Sequence, residues 1–191
     1  LEKNIKSAPF KNLSWDYAGE ARQFKSQSSA LIVTFLVSLM VIYLVLAAQF
    51  ESWVDPLIIL TSVPLSLFGA LFFASLGLVS LNIYTQVGLI TLIGLVAKNG
   101  ILIVEFANRV IKEEGASKRE AIEKASLLRL RPILMTTVAT IVAMIPLLIA
   151  VGPGAESRFQ IGLIISTGLG FGTIFTLFVV PVFYIILSQK K

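Results

Sequence analysis

One stretch constrains this chain more than any other. Residues Tyr84 to Arg109 read YTQVGLITLIGLVAKNGILIVEFANR, long and apolar enough to cross a bilayer as a helix, yet they include Lys98, Asn99 and Glu105. An ionisable side chain at the bilayer centre costs about 3 kcal/mol on insertion scales, so such a group normally faces a bundle interior and serves a pathway. Lys98 lies 14 residues from one end of the run and 11 from the other, which puts it near the midplane at about 1.5 Å of rise per residue. Glu105, seven residues on, projects from the same face roughly 10 Å nearer one surface. The run therefore carries a polar stripe. The plainest account of Lys98 is a structural cation tied to backbone carbonyls; the sharper one, adopted here, is a coupling residue for ion movement.

Composition agrees with a membrane setting. The 191 residues are 56% hydrophobic and only 14% charged, where soluble domains carry about 25% charged residues. With no cysteine, disulfides and thiolate metal sites are excluded. With no histidine, a proton relay has to use carboxylates, Lys98, hydroxyls or water. No cofactor and no metal is expected. The net charge of +5 does not point to nucleic acid, because most of the cations flank hydrophobic runs, where they orient helices.

In chain order, residues 1–28 are polar and mixed in charge and read as the tail of an extramembrane, periplasmic domain. Residues 29–191 read as the membrane part. The fold expected is all-α: a bundle of five transmembrane helices plus one cytoplasmic surface helix. The spans fall at about 29–49, 56–76, 84–110, 132–151 and 159–187, and the amphipathic helix at about 117–130. Asp55 and Pro56 suit the N-cap and first turn of the second span. Ser62, Ser66, Ala70 and Ala74 recur every four residues in that span, as do Gly162, Ser166 and Gly170 in the fifth, which adds a Gly168-x-x-x-Gly172 pair; small residues at this spacing let helices approach closely. Ser117 three residues before Glu120 has capping-box spacing. Ala121, Ile122, Ala125 and Leu128 share one face of the helix that follows, which is expected to lie along the membrane surface. Arg129, Thr136 and Thr140 also share a face.

The cationic 111–131 loop and the Lys190-Lys191 end fall on one side, the cytoplasmic one by the distribution of positive charge. Lys98 at mid-depth calls for a counter-charge. None of the five spans has an Asp or Glu at its level. The partner carboxylate is therefore expected on a helix outside this chain.

The runs GLVAKNGILIVEFAN, RLRPILMT, LAAQFESW and GPGAESR closely resemble the C-terminal membrane half of resistance-nodulation-division (RND) multidrug efflux pumps of the acriflavine-resistance type, from about Asp16 to the end. The resemblance implies a proton-driven drug/proton antiporter, trimeric in its full-length form, in the bacterial inner membrane with a cytoplasmic C-terminus. It places the relay lysine at Lys98, the relay arginine at Arg129 and the relay threonine at Thr136; Asn99, Glu105 and Thr140, from their positions in the same two runs, are the candidate supporting polar residues. It implies that the missing N-terminal half supplies the acidic relay residues, and that a periplasmic adaptor and an outer-membrane channel are partners beside the lipid bilayer. Asn82 stands where some members have Asp. Two other readings compete. Heavy-metal efflux by the same fold would want clustered methionines, whereas Met40, Met135 and Met144 are scattered. A non-transporting membrane scaffold would need no more than the Gly and Ser stripes. An enzyme is not expected, since a membrane hydrolase would require a Ser-His pair or two intramembrane aspartates.

Overall fold

Backbone chemistry sets the helix bounds in the computed structural model, which describes residues 19–80 and 82–188. Most of the expected extramembrane tail, residues 1–18, and the Lys190-Lys191 end lie outside the described residues. Six α-helices follow in order: α1 Gly19–Phe50, α2 Val54–Leu60, α3 Ser62–Phe73, α4 Ile83–Glu114, α5 Lys118–Leu148 and α6 Ala155–Ser188, with a π-helical turn, Ala74–Leu78, after α3. The described residues contain no strand. Since α2, α3 and the π turn follow one path, five helical segments are long and apolar enough to cross a membrane. The chain is an all-α membrane protein.

The second span is in two pieces, a division the sequence reading did not make. Pro64 has no N–H to give the carbonyl of Leu60, and the ladder lapses at Thr61. The hydroxyls of Thr61 and Ser62 instead donate to the carbonyls of Ile58 at 2.6 Å and Ile59 at 2.7 Å. At the preceding corner, Glu51 adopts the left-handed region at φ 49°. There Ser52, rather than Asp55, takes the capping role: its Oγ accepts from the backbone N–H of Val54 at 3.3 Å and of Asp55 at 3.5 Å. The Asp55 carboxylate is left for a tertiary contact described below.

Helix α4 opens with a capping box that the sequence reading missed, Asn82 with Thr85. It closes on Gly115, whose left-handed φ of 62° favours a residue without Cβ. The expected Ser117–Glu120 box then starts α5. The surface helix expected at about 117–130 and the span expected at 132–151 form one continuous helix. Pro132 forfeits a single backbone bond and does not end it. Ala121, Ile122 and Ala125 do share a buried face, and Ile122 and Ala125 pack in one core with Ala107 and Ile111 of α4, while Leu128 is exposed. Lys124 binds both carboxylate oxygens of Glu114 at 2.6 Å. The two helices thus make a tied hairpin.

Small residues decide how closely the helices pack. A Cβ on Gly168 would fall 2.2 Å from Leu92 Cδ2 and 3.0 Å from Ala70 Cβ, and one on Gly172 would fall 2.6 Å from Ser66 Cβ. The Gly168-x-x-x-Gly172 pair of α6 therefore sits where α3 and α4 both press against it, and Ser62, Ser66 and Ala70 of the α2–α3 stripe are buried. Residue numbers of the α4 and α6 partners rise together, Gly88 with Ile164, Leu92 with Gly168 and Val96 with Gly172, so these helices run parallel. The α5 and α6 partners run oppositely, Gly170 with Ile141 and Gly162 with Leu147 and Leu148. Helix α6 is thus the centre of the bundle. Helix α1 lies at its edge, with Leu46 buried but Val33, Leu36, Met40 and Val45 exposed.

Candidate functional site

Amides and hydroxyls placed inside apolar helices are costly unless paired, and here α4 and α6 pair theirs in three layers. At one end, the Asn82 amide donates to the side-chain carbonyl of Gln160. At mid-depth, Asn99 Nδ2 donates to Thr173 Oγ1 at 3.1 Å, and Thr173 Oγ1 shares a further hydrogen bond of 3.1 Å with Thr137 Oγ1 of α5. At the other end, Asn108 Nδ2 donates to Asp55 Oδ2 at 3.0 Å while the Tyr184 hydroxyl donates to Asn108 Oδ1 at 2.6 Å. The α4–α6 partners are separated by 78, 74 and 76 residues along the chain, which is the parallel register of the glycine contacts.

Of the relay and supporting residues expected from sequence, Lys98, Asn99, Glu105, Arg129, Thr136 and Thr140, Asn99 alone belongs to these layers, 4% exposed. Lys98, one residue before it, points away and is exposed on the bundle surface. It lies 15 residues past Ile83 and 16 before Glu114, the ends of α4. Among the described residues it has no ion pair and no side-chain hydrogen bond. Glu105 is also exposed and sits 3.7 Å from Arg109, its i+4 neighbour. This end of α4 borders a cavity of about 610 Å³ lined in part by Glu51, Asp55, Glu105, Arg109 and Lys112. Glu105 therefore faces a polar recess at the end of the bundle.

On α5, the Arg129 guanidinium carbon stands 4.8 Å from the centroid of the Phe106 ring of α4, within cation–π range. Among the described residues, buried Arg129 Nε has no hydrogen-bond partner. Thr136 donates to the Ile133 carbonyl at 3.0 Å, and Thr140 to the Thr136 carbonyl at 2.8 Å. Both hydroxyl protons are thus spent on the helix's own backbone, leaving the oxygen lone pairs as acceptors. Among the described residues no hydrogen bond or ion pair joins Lys98 to Arg129 or Thr136.

The residues that sequence reasoning passed over are Thr137, Thr173, Gln160, Asn108 and Tyr184. A weak signal existed: Asn82, Asn99 and Asn108 are amides spread along one apolar helix, and each needs a partner. Nothing local said that a single later helix supplies one to each.

The sequence model of the AcrB/AcrD/AcrF family matches residues 2–188. An uncharacterised transporter of Haemophilus influenzae is 52% identical over 177 residues, covering 90% of this chain and 17% of that protein. The multidrug resistance protein MdtF of Escherichia coli K12 is 39% identical, covering 93% and 17%. The toluene efflux pump membrane transporter TtgB of Pseudomonas putida is 40% identical, again covering 93% and 17%. The chain spans about a sixth of the length of these relatives.

Proposed function

Because this chain belongs to the AcrB/AcrD/AcrF family of efflux transporters, we propose that it forms the C-terminal membrane part of a proton-driven antiporter, in which Lys98, Arg129 and Thr136 carry part of the proton relay. The observation that carries this reading is Lys98 itself. A cation halfway along a membrane-length helix needs an opposing charge, and its exposed position leaves that side of α4 open for one to approach. The acids would come from the N-terminal half of the longer protein. Their protonation weakens the attraction for the ammonium, which then turns toward the acceptor oxygen of Thr136 and the Arg129 edge of α5. Contacts that differ between two protonation states couple proton flow to a change of shape. Relatives named for multidrug resistance and toluene efflux support organic compounds as cargo.

The same reading sets the protein in the bacterial inner membrane, with the Glu114–Lys118 turn and the C-terminus cytoplasmic. The full-length form would be a homotrimer that works with a periplasmic adaptor and an outer-membrane channel. The test is Lys98→Met in the full-length transporter that carries this sequence. Drug efflux and drug-dependent proton uptake in proteoliposomes should fall by at least about 100-fold, the scale of losing a group that acts only during turnover, with expression and oligomeric state intact. Undiminished efflux removes Lys98 from the mechanism.

A further inference from the structure

Among the described residues Thr173 has no hydrogen bond to a proposed relay residue, yet it bonds to the neighbour of two of them. Its hydroxyl accepts from Asn99, one residue after Lys98, and shares a hydrogen bond with Thr137, one residue after Thr136. All three members are nearly sealed from solvent, at 1% exposure for Thr173, 4% for Asn99 and 7% for Thr137. The node lies within about 1.5 Å of Lys98 along the α4 axis, one residue's rise.

Helix geometry turns this into a constraint on direction. Stepping back one residue rotates a side chain by about 100°. Because α4 and α5 run in opposite directions, the same step turns Lys98 and Thr136 in opposite senses as seen along the bundle. The two turns converge on the α4–α5 groove, since Arg129, on the Thr136 face of α5, already lies over Phe106 of α4. Fixing Asn99 and Thr137 on one oxygen therefore fixes the facing of Lys98 and Thr136 toward a common groove.

The chemistry of the node suits a device that holds position while tolerating change. Thr173 Oγ1 accepts from the Asn99 amide, and either Thr173 or Thr137 can donate in the bond between them. The donor direction can reverse without moving a heavy atom.

We propose that Thr173 is a positioning residue of the transport cycle: its hydroxyl locks the rotational phase of α4 and α5 against α6, so that Lys98 and Thr136 face one another across a shared groove. This rests on the relay reading above. The test compares Thr173→Val, which keeps the shape and removes the hydroxyl, with Thr173→Ser, which keeps the hydroxyl, both in the full-length transporter reconstituted in proteoliposomes. Losing one buried hydrogen bond from a positioned pair is expected to lower maximal drug turnover about fivefold, leave KM for the drug unchanged, and displace the pH of half-maximal turnover. Thr173→Ser should restore both within about twofold of the native protein.

Val turnover within twofold of native with an unmoved pH profile overturns the proposal, and so does a Ser variant as impaired as Val, which would mark a packing role. If Thr173→Val does not assemble, Thr137→Val breaks the same node from the other side and is held to the same criteria. Lys98→Met measured alongside separates the two claims. A dead Lys98→Met with a normal Thr173→Val defeats only the positioning role, whereas a normal Lys98→Met defeats the relay reading itself.

Discussion

Helices α4 and α5 invite comparison, because they are almost equal in length and each carries part of the proposed relay. They are held very differently. Half of the most apolar stretch of α4 is buried within these helices, against 11% of that of α5. Helix α4 is clamped to α6 by three polar layers and by glycines that admit its Leu92 and Val96 at contact distance. Helix α5 is gripped along a narrow line through Ile133, Thr137 and Leu147, while Leu134, Val138, Val142 and Ile145 remain exposed. A residue that must be aimed is thus mounted on a firmly packed helix. A helix with an open apolar flank keeps most of its surface for lipid or for another part of the longer protein.

Substitutions can break or sharpen that contrast. The largest effect is expected at Gly168→Leu, where a Cβ alone would overlap Leu92. Overpacking at a site pressed from two sides costs about 3 kcal/mol or more, and the fraction of monodisperse full-length protein in detergent should collapse. Native recovery would mean that the α3–α4–α6 contact is not the core of the bundle. A smaller effect is expected at Asn108→Leu, which strips Asp55 and Tyr184 of a shared partner. A cost of about 1–2 kcal/mol should lower the midpoint of heat-induced loss of the monodisperse peak by a few degrees, and an unchanged midpoint would rank this layer below the other two. The smallest is expected at Val142→Ala on the open flank of α5, which should shift stability by less than about 0.5 kcal/mol. A large loss there would show that this flank is packed in the full-length protein.

Much of this architecture could be read from residue order because it rests on local rules. Apolar runs of membrane length, the Ser117–Glu120 box, and the four-residue repeats at Ser62, Ser66, Ala70 and at Gly168, Gly172 each need only a short window to be seen. What escaped notice depends on distant partners. The helix starts at Val54, so Asp55 falls in its first turn and Ser52 takes the cap, while Asp55 is engaged by Asn108, which lies 53 residues away. The helix continues through Pro132 because its first turns are held on α4, a contact that no inspection of residues 117–151 by themselves could supply. Asn99 stands out in sequence through its neighbour Lys98, but its partner Thr173 does not, since a lone threonine in a helix ordinarily bonds its own backbone, as Thr136 and Thr140 do.

The hairpin of α4 and α5 carries a mechanical implication. Helix α5 has 31 residues, about 46 Å of rise, whereas the hydrocarbon layer is about 30 Å deep. In a membrane that excess of length leaves room for the leading turns, strapped to Glu114 by Lys124 and sealed by Ile122, to stand clear of the lipid as a stiff mast. A tilt of about 5° at the bilayer centre would carry a mast tip about 25 Å away through roughly 2 Å. Under the proposed relay, events around Lys98 would thus be reported to the aqueous compartment as a sway of the whole shaft.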